Sequence, residues 1–196
     1  MARIPSIRPL LAGFAVTGLL AAGVVATAAP AQADSRTCTG TLGKGTVDGD
    51  VIVPVGKKCT LRGTLVKGNV RVWKDARLHA VSARIEGNIQ TDRHRNVVVQ
   101  KSRIDGDVQL RKGYQATLTS NVIDGNIQSS TNRGSQSARY NRVDGDIQYF
   151  SNRPARYIKI SANRVDGNLQ CKSNTRTPLG GGNTVNGDKE GQCARL

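Results

Sequence analysis

Aromatic residues make up only 4% of the 196-residue chain: one Trp, four Tyr and two Phe. A core built with so few rings has to be narrow and filled by aliphatic side chains. Histidine occurs twice, as His79 and His94. The two stand apart, and no glycine-framed serine or Ser-His-Asp order accompanies them, so triad chemistry has no support. There is no Cys-x-x-Cys pair and no His close to a Cys, which excludes the usual zinc spacings. Acid is also in deficit, with 14 Asp and Glu against 29 Lys and Arg and a net charge of +15. After Ala33 no apolar run reaches the length of a bilayer span.

The start of the chain is the exception. Arg3 and Arg8 precede an apolar stretch from Pro9 to Ala31, which closes as Ala31-Gln32-Ala33. That order describes a secretory signal peptide over residues 1–33, cleaved before Asp34. No Arg-Arg pair precedes the run, so the general secretory route is expected, and Ser35-Arg36-Thr37 before Cys38 lacks a lipoprotein pattern. The product is therefore expected to be secreted, with residues 34–196 as a single domain. Loss of Arg3 and Arg8 leaves 27 basic against 14 acidic residues, a balance of +13. Such a charge suits an anionic partner: an acidic polysaccharide, a wall polyphosphate, nucleic acid or lipid head groups.

What the chain has in abundance is a repeat. Arg142-Val143-Asp144-Gly145-Asp146-Ile147-Gln148 recurs in close copies, with glycines at 49, 68, 87, 106, 125, 145, 167 and 187 and gaps of 19 to 22 residues. Periods of this length mean a stacked architecture. Two residues before each glycine stand Val47, Val66, Ile85, Ile104, Ile123, Val143, Val165 and Val185. Two after stand Val51, Val70, Ile89, Val108, Ile127, Ile147 and Leu169, and Lys189 breaks the column. Period-two alternation of β-branched residues marks a strand, with the glycine placed where a side chain would crowd the coil above or below.

Nine and seven residues before the glycines lies a second inward pair: Leu78 and Ala80, Val97 and Val99, Ala116 and Leu118, Ile158 and Ile160, with Gln136 and Ala138 as the weak copy. Four before stand Ala83, Ser102, Asn121, Asn141 and Asn163, small polar residues that suit a corner bonding the backbone of neighbouring coils. One glycine per repeat opposes a helical solenoid. The expected fold is all-β: a single-stranded parallel β-helix (β-solenoid) of about seven coils.

Cys38, Cys59, Cys171 and Cys193 form an even count in an exported chain, which reads as two disulfides. Cys38–Cys59 and Cys171–Cys193 are each about one coil apart in sequence. Coils stack at about 4.8 Å, inside disulfide range. Each end is expected to be stapled to its neighbour.

The Val/Ile-x-Gly-Asp/Asn-Ile/Val unit, from Thr46 to Asp188, resembles the repeat of bactofilins, polymer-forming β-helix proteins of bacteria. The resemblance implies a right-handed coil and a scaffold that assembles end to end. A signal peptide and a disulfide at each end depart from that family, so a monomer is expected rather than a polymer.

Columns alternating with the inward residues form outward ladders: Arg84, Arg103, Arg142 and Arg164 three before the glycine, and Asp48, Glu86, Asp105, Asp124, Asp144 and Asp166 one before. One after run Asp50, Asn69, Asn88, Asp107, Asn126, Asp146, Asn168 and Asp188, and three after run Gln90, Gln109, Gln128, Gln148 and Gln170. Together these are expected to make a flat polar face four columns wide. Stacked acids invite structural calcium. The neighbouring Arg column and interleaved Asn offset the repulsion without one, so no metal site and no cofactor are assigned. Asp105, Asp107, Asp124 and Arg103 imitate a calcium-dependent, pectate-lyase-like centre, but every coil carries the same set, and an enzyme is not expected.

Binding is assigned instead to a basic loop edge: Lys74, Arg93, Arg95, Arg111, Lys112, Arg133, Arg153, Arg156 and Arg176. Cations at coil spacing track a polyanion by releasing its counterions. Trp73, Tyr114, Tyr149, Phe150 and Tyr157 lie near them as candidate stacking partners. The expected function is non-catalytic, either binding an anionic polymer or serving as an envelope or extracellular structural protein.

Overall fold

A computed structural model describes residues 35–196, and the expected leader over residues 1–33 lies outside them. The described chain is a parallel β-solenoid of about eight turns, one more than the seven glycine-to-glycine intervals, because the segment before Thr46 already contributes strands Arg36–Thr37 and Thr41–Leu42. Every strand pair is parallel, and the strands of successive coils form three sheets of nine, eight and eight strands. No helix among the described residues is long and apolar enough to cross a membrane.

The three faces are distinguished by what they show to solvent. The arginine face carries two- and three-residue strands ahead of each repeat glycine, such as Arg103–Ile104 and Arg142–Val143. The glutamine face follows the glycine, as in Val108–Arg111 and Ile147–Phe150. The long face has the longest strands, including Lys58–Arg62, Asn96–Gln100 and Gln115–Thr119. Inside lie the expected aliphatic columns, with Ile104, Val108, Leu118, Ile123, Ile147 and Ile160 fully buried. Gln136, the weak copy, is buried too. Its Nε2 donates to Tyr114 O at 2.7 Å and Gly134 O at 3.1 Å, so the amide leaves no donor stranded.

At the corners, side-chain ladders add to the backbone pairing that holds the coils in register. Where the long face turns into the arginine face, Ser102, Asn121, Asn141, Asn163 and Asn183 form a buried ladder. Asn141 Oδ1 accepts the Asn121 N–H at 3.1 Å, and Asn141 Nδ2 donates to Leu118 O at 3.1 Å. Asn163 repeats the pattern one coil on, at 3.0 and 2.9 Å. Such amides satisfy the backbone groups that a bend would leave unpaired. A second ladder of Asn132, Asn152 and Asn174 fills the corner between the glutamine and long faces, again linking N–H groups to Oδ1 atoms at 3.0 Å. All three asparagines are buried, although each is followed by residues of loop composition, Arg133-Gly134, Arg153-Pro154 and Thr175-Arg176.

The third corner holds the repeat glycine and departs from the flat face expected of it. The chain bends there, so the Arg and acid columns lie on one face, the Gln column lies on another, and the residue after the glycine points along the axis. Asp107 Oδ1 accepts the Asn126 N–H at 2.8 Å and Asn126 Nδ2 at 3.0 Å. That oxygen occupies the space a side chain would need: a Cβ on Gly125 would lie 2.5 Å from Asp107 Oδ1 and 2.8 Å from the Gly106 backbone. Glycine and the Asp or Asn of the preceding coil are thus one device. No two Asp residues are adjacent in this column (Asp50, Asn69, Asn88, Asp107, Asn126, Asp146, Asn168, Asp188). Neighbouring carboxylates would have no side-chain donor between them.

Both disulfides join the expected partners, with Cα atoms 5.4 Å apart for Cys38–Cys59 and 5.2 Å for Cys171–Cys193. They clamp the first and last coils, where stacking is one-sided.

Candidate functional site

The ladder of charge on the arginine face neutralises itself. Arg103 Nε bonds Asp105 of its own coil at 2.8 Å, while its Nη2 bonds Asp124 of the next. Arg142 repeats this with Asp144 and Asp166, both at 3.1 Å, and Lys67 pairs with Asp48 at 2.8 Å. The Asp105, Asp107, Asp124 and Arg103 set is therefore divided between a salt-bridge zigzag and the glycine corner. Among the described residues no group of three His, Cys, Asp or Glu side chains comes together as a metal-holding cluster.

The nine cations assigned from sequence are all exposed at the corner between the glutamine and long faces. They do not form one row. Arg95, Tyr114, Arg133 and Arg153 make a column, linked by backbone bonds of 2.8 to 2.9 Å between coils. Arg95 lies over the Tyr114 ring, 5.2 Å from its centroid. Arg93 and Lys112 belong to a neighbouring column, and Arg111 to a third, in register with Asp92. Arg93 is already paired with Asp92 at 2.8 Å, and Arg176 Nε donates to Pro154 O at 3.2 Å. Lys74 falls in register with Arg93, one coil before it, while Arg156 lies in the longer corner that precedes Ile158. Of the proposed stacking partners, Tyr149 is a core residue at 1% exposure, and burial pushes its phenol pKa above the ordinary range. Trp73, Tyr114 and Tyr157 are exposed.

Sequence reasoning missed the neighbouring surface. The strands of the long face contain no acid, while Lys58, Arg62, Arg77, Arg139 and Lys159 all belong to them. None of these five joins an ion pair with the described acids; every such pair lies on the arginine face or on the glutamine face and its edges. Two hollows lie along this face. One, of about 430 Å³, is lined by Lys58, Arg77, Leu78, His79, Asn96 and Val98; the other, of about 400 Å³, by Thr117, Ser137, Arg139, Tyr157, Lys159 and Leu179. Three buried polar atoms of the same face, Asn96 Oδ1, Thr119 Oγ1 and Arg139 Nε, have no hydrogen-bond partner. The signal was available: acids are absent at the outward offsets six, eight and ten before each glycine.

Backbone strain borders the same face. Eleven non-glycine residues have φ between 49° and 58°, among them Arg93, Lys112, Thr131, Tyr140 and Ala162, and all lie at the two corners flanking the long face. Each costs about 1–2 kcal/mol, and those from Ser120 and Thr131 onward directly precede a ladder asparagine. His94 replaces asparagine at one rung. It is buried, its Nδ1 lies 2.7 Å from Thr91 Oγ1, and its ring covers Gly113, where no side chain would fit. Burial lowers the His94 pKa to about 4, against weaker opposing effects of the Gln115 backbone and Asp92.

Comparison with family models, with curated proteins and with solved structures found no match. The class is thus defined by the coordinates alone: a disulfide-stapled parallel β-solenoid.

Proposed function

We propose that this protein is a secreted, non-catalytic β-solenoid that binds an anionic polymer on its long face and the adjoining basic corner. One observation carries the reading: the acids are gathered and paired away from the long face, whose five strand cations are left without partners. Charge separation of this kind creates a one-signed field along the solenoid axis. The strands Asn96–Gln100 and Gln115–Thr119 carry no cation, and there the corner residues Arg95 and Lys112 supply the contact to a linear polyanion. Coils repeat at about 4.8 Å, so cations recur on the scale of charges in a flexible polymer. Two disulfides support export, since such bonds persist in oxidising compartments.

Retention on immobilised heparin tests it. Wild-type protein is expected to elute above physiological salt, and Arg133→Glu with Arg153→Glu to lower the eluting salt concentration substantially. Elution below physiological salt, unchanged by the double variant, overturns the reading.

A further inference from the structure

Resting on that reading, we infer that the hollow formed by Thr117, Ser137, Arg139, Tyr157, Lys159 and Leu179 is a sugar subsite for a carboxylated polysaccharide. The coil register sets this group together: Thr117 pairs with Ser137 and Ser137 with Lys159 across three coils, while Arg139 stands beside Thr119 and Ser161. Lengthening of the corners after Gly125 and Gly145 brings Tyr157 to the rim, with its carbonyl accepting the Gln136 N–H at 3.1 Å. Leu179, 60% exposed, closes the far end.

The mixture of side chains selects the ligand class. A guanidinium binds a carboxylate through two parallel bonds, and Arg139 has no ion pair while its Nε is buried without a partner. Two hydroxyls, Thr117 and Ser137, exchange hydrogen bonds with sugar hydroxyls as donor or acceptor. The Tyr157 ring and Leu179 offer an apolar surface to the C–H face of a pyranose. A polyphosphate has neither hydroxyl donors nor an apolar face, so it would leave half of this group unused. Nucleic acid calls for an aromatic platform at successive bases, and Tyr157 is the one ring in this hollow. The second hollow, with Lys58, Arg77 and Asn96, lies further along the same face. It continues the cationic track, with the His79 imidazole in place of a phenol ring.

The test compares three probes on the disulfide-bonded protein by calorimetry: an alginate hexasaccharide, a neutral hexasaccharide and short-chain polyphosphate. Alginate is expected to bind at least tenfold more tightly than the neutral sugar. Arg139→Gln and Tyr157→Ala are each expected to weaken alginate binding about tenfold, with an unchanged circular dichroism spectrum. Tyr157→Ala should alter polyphosphate binding less than threefold. Arg164→Gln, which removes the same charge from the arginine face, should leave alginate affinity unchanged. Equal losses for Arg139→Gln and Arg164→Gln, or equal losses of alginate and polyphosphate in Tyr157→Ala, overturn the subsite. Polyphosphate binding with no alginate binding also overturns it while leaving the broader reading intact. Failure to bind either polyanion removes both.

Discussion

The arginine face and the long face are built from the same parallel coils, yet they treat charge in opposite ways. On the arginine face each guanidinium sits between an acid of its own coil and one of the next, so stacked like charges are interleaved with opposite ones. On the long face Arg77, Arg139 and Lys159 have no acid in reach, and Thr, Ser, Val and Gln separate them along the axis. Their corners differ in the same sense. The glycine corner of the arginine face has no strained non-glycine residue, whereas both corners of the long face carry one in nearly every coil. A solenoid can neutralise a face to hold its register, or leave it charged and hold it from the corners. This protein does both, and only the second arrangement leaves charge free for a partner.

The sharpest way to break the comparison is to disturb the tight corner and the adaptable one in parallel. Gly125→Ala forces a Cβ against Asp107 Oδ1 and the Gly106 backbone. It is expected to cost about 3 kcal/mol or more, read by urea denaturation. One glycine inserted after Arg176, in a corner whose length already varies, should cost less than about 1 kcal/mol. Equal losses would show that the two corners are not different in kind.

Acid provides the next largest effect, confined to the corner beside the long face. His94 has its pKa lowered by burial from 6.5 to about 4. The unfolded chain therefore takes up this proton between those values while the folded chain does not. Stability is complete above the unfolded pKa and falls as pH drops from about 6.5 to about 4, by about 3 kcal/mol in all. His94→Asn, which restores the residue found at other rungs, should flatten that part of the profile in urea titrations. A profile unchanged by the substitution would remove His94 as the cause.

Much of the fold could be read from the residues, and the reason is local. Alternation around each glycine reports which side chains face in, and a one-coil spacing reports which cysteines meet. The ladder of Asn121, Asn141 and Asn163 was legible because its offset from the glycine is constant. The ladder of Asn132, Asn152 and Asn174 keeps an equally constant offset, seven after the preceding glycine, but His94 and Gly113 fill its earlier rungs and its neighbours have loop composition, which masked it. Tyr149 stands four after its glycine, in a column of Thr91, Leu110, Ser129 and Cys171 whose mixed residue types conceal the inward position. The candidate site was harder still, because it is defined by what the long face lacks. A scan for clustered cations finds the corner residues Arg95, Arg133 and Arg153, but passes over Arg139 and Lys159, which stand singly between small polar neighbours.

Charge reversal separates the faces at a smaller scale. Arg103→Glu removes the bonds to Asp105 and Asp124 and sets a third carboxylate beside them. Coulomb repulsion at such spacing is about 1 kcal/mol per neighbour in water, so a loss of about 2 kcal/mol is expected. Arg77→Glu on the long face, where the guanidinium joins no ion pair, should change stability by less than about 0.5 kcal/mol. A comparable loss in both would show that pairing, as drawn for the arginine face, does not hold it.

The smallest effect is the most informative, because its sign differs between the faces. Arg103→Gln breaks exposed ion pairs and should cost about 0.2–1 kcal/mol. Arg139→Gln removes a guanidinium that has no acidic partner and whose buried Nε makes no hydrogen bond. A buried donor without a partner is itself destabilising, so this substitution should leave stability unchanged or raise it by a few tenths of a kcal/mol. A stability cost at a residue lining a hollow is the outcome the proposed binding role predicts, since unsatisfied groups concentrate at functional sites. If Arg139→Gln instead destabilises as much as Arg103→Gln, the long face is held together by its cations, and the contrast between a self-satisfied face and an available one is lost.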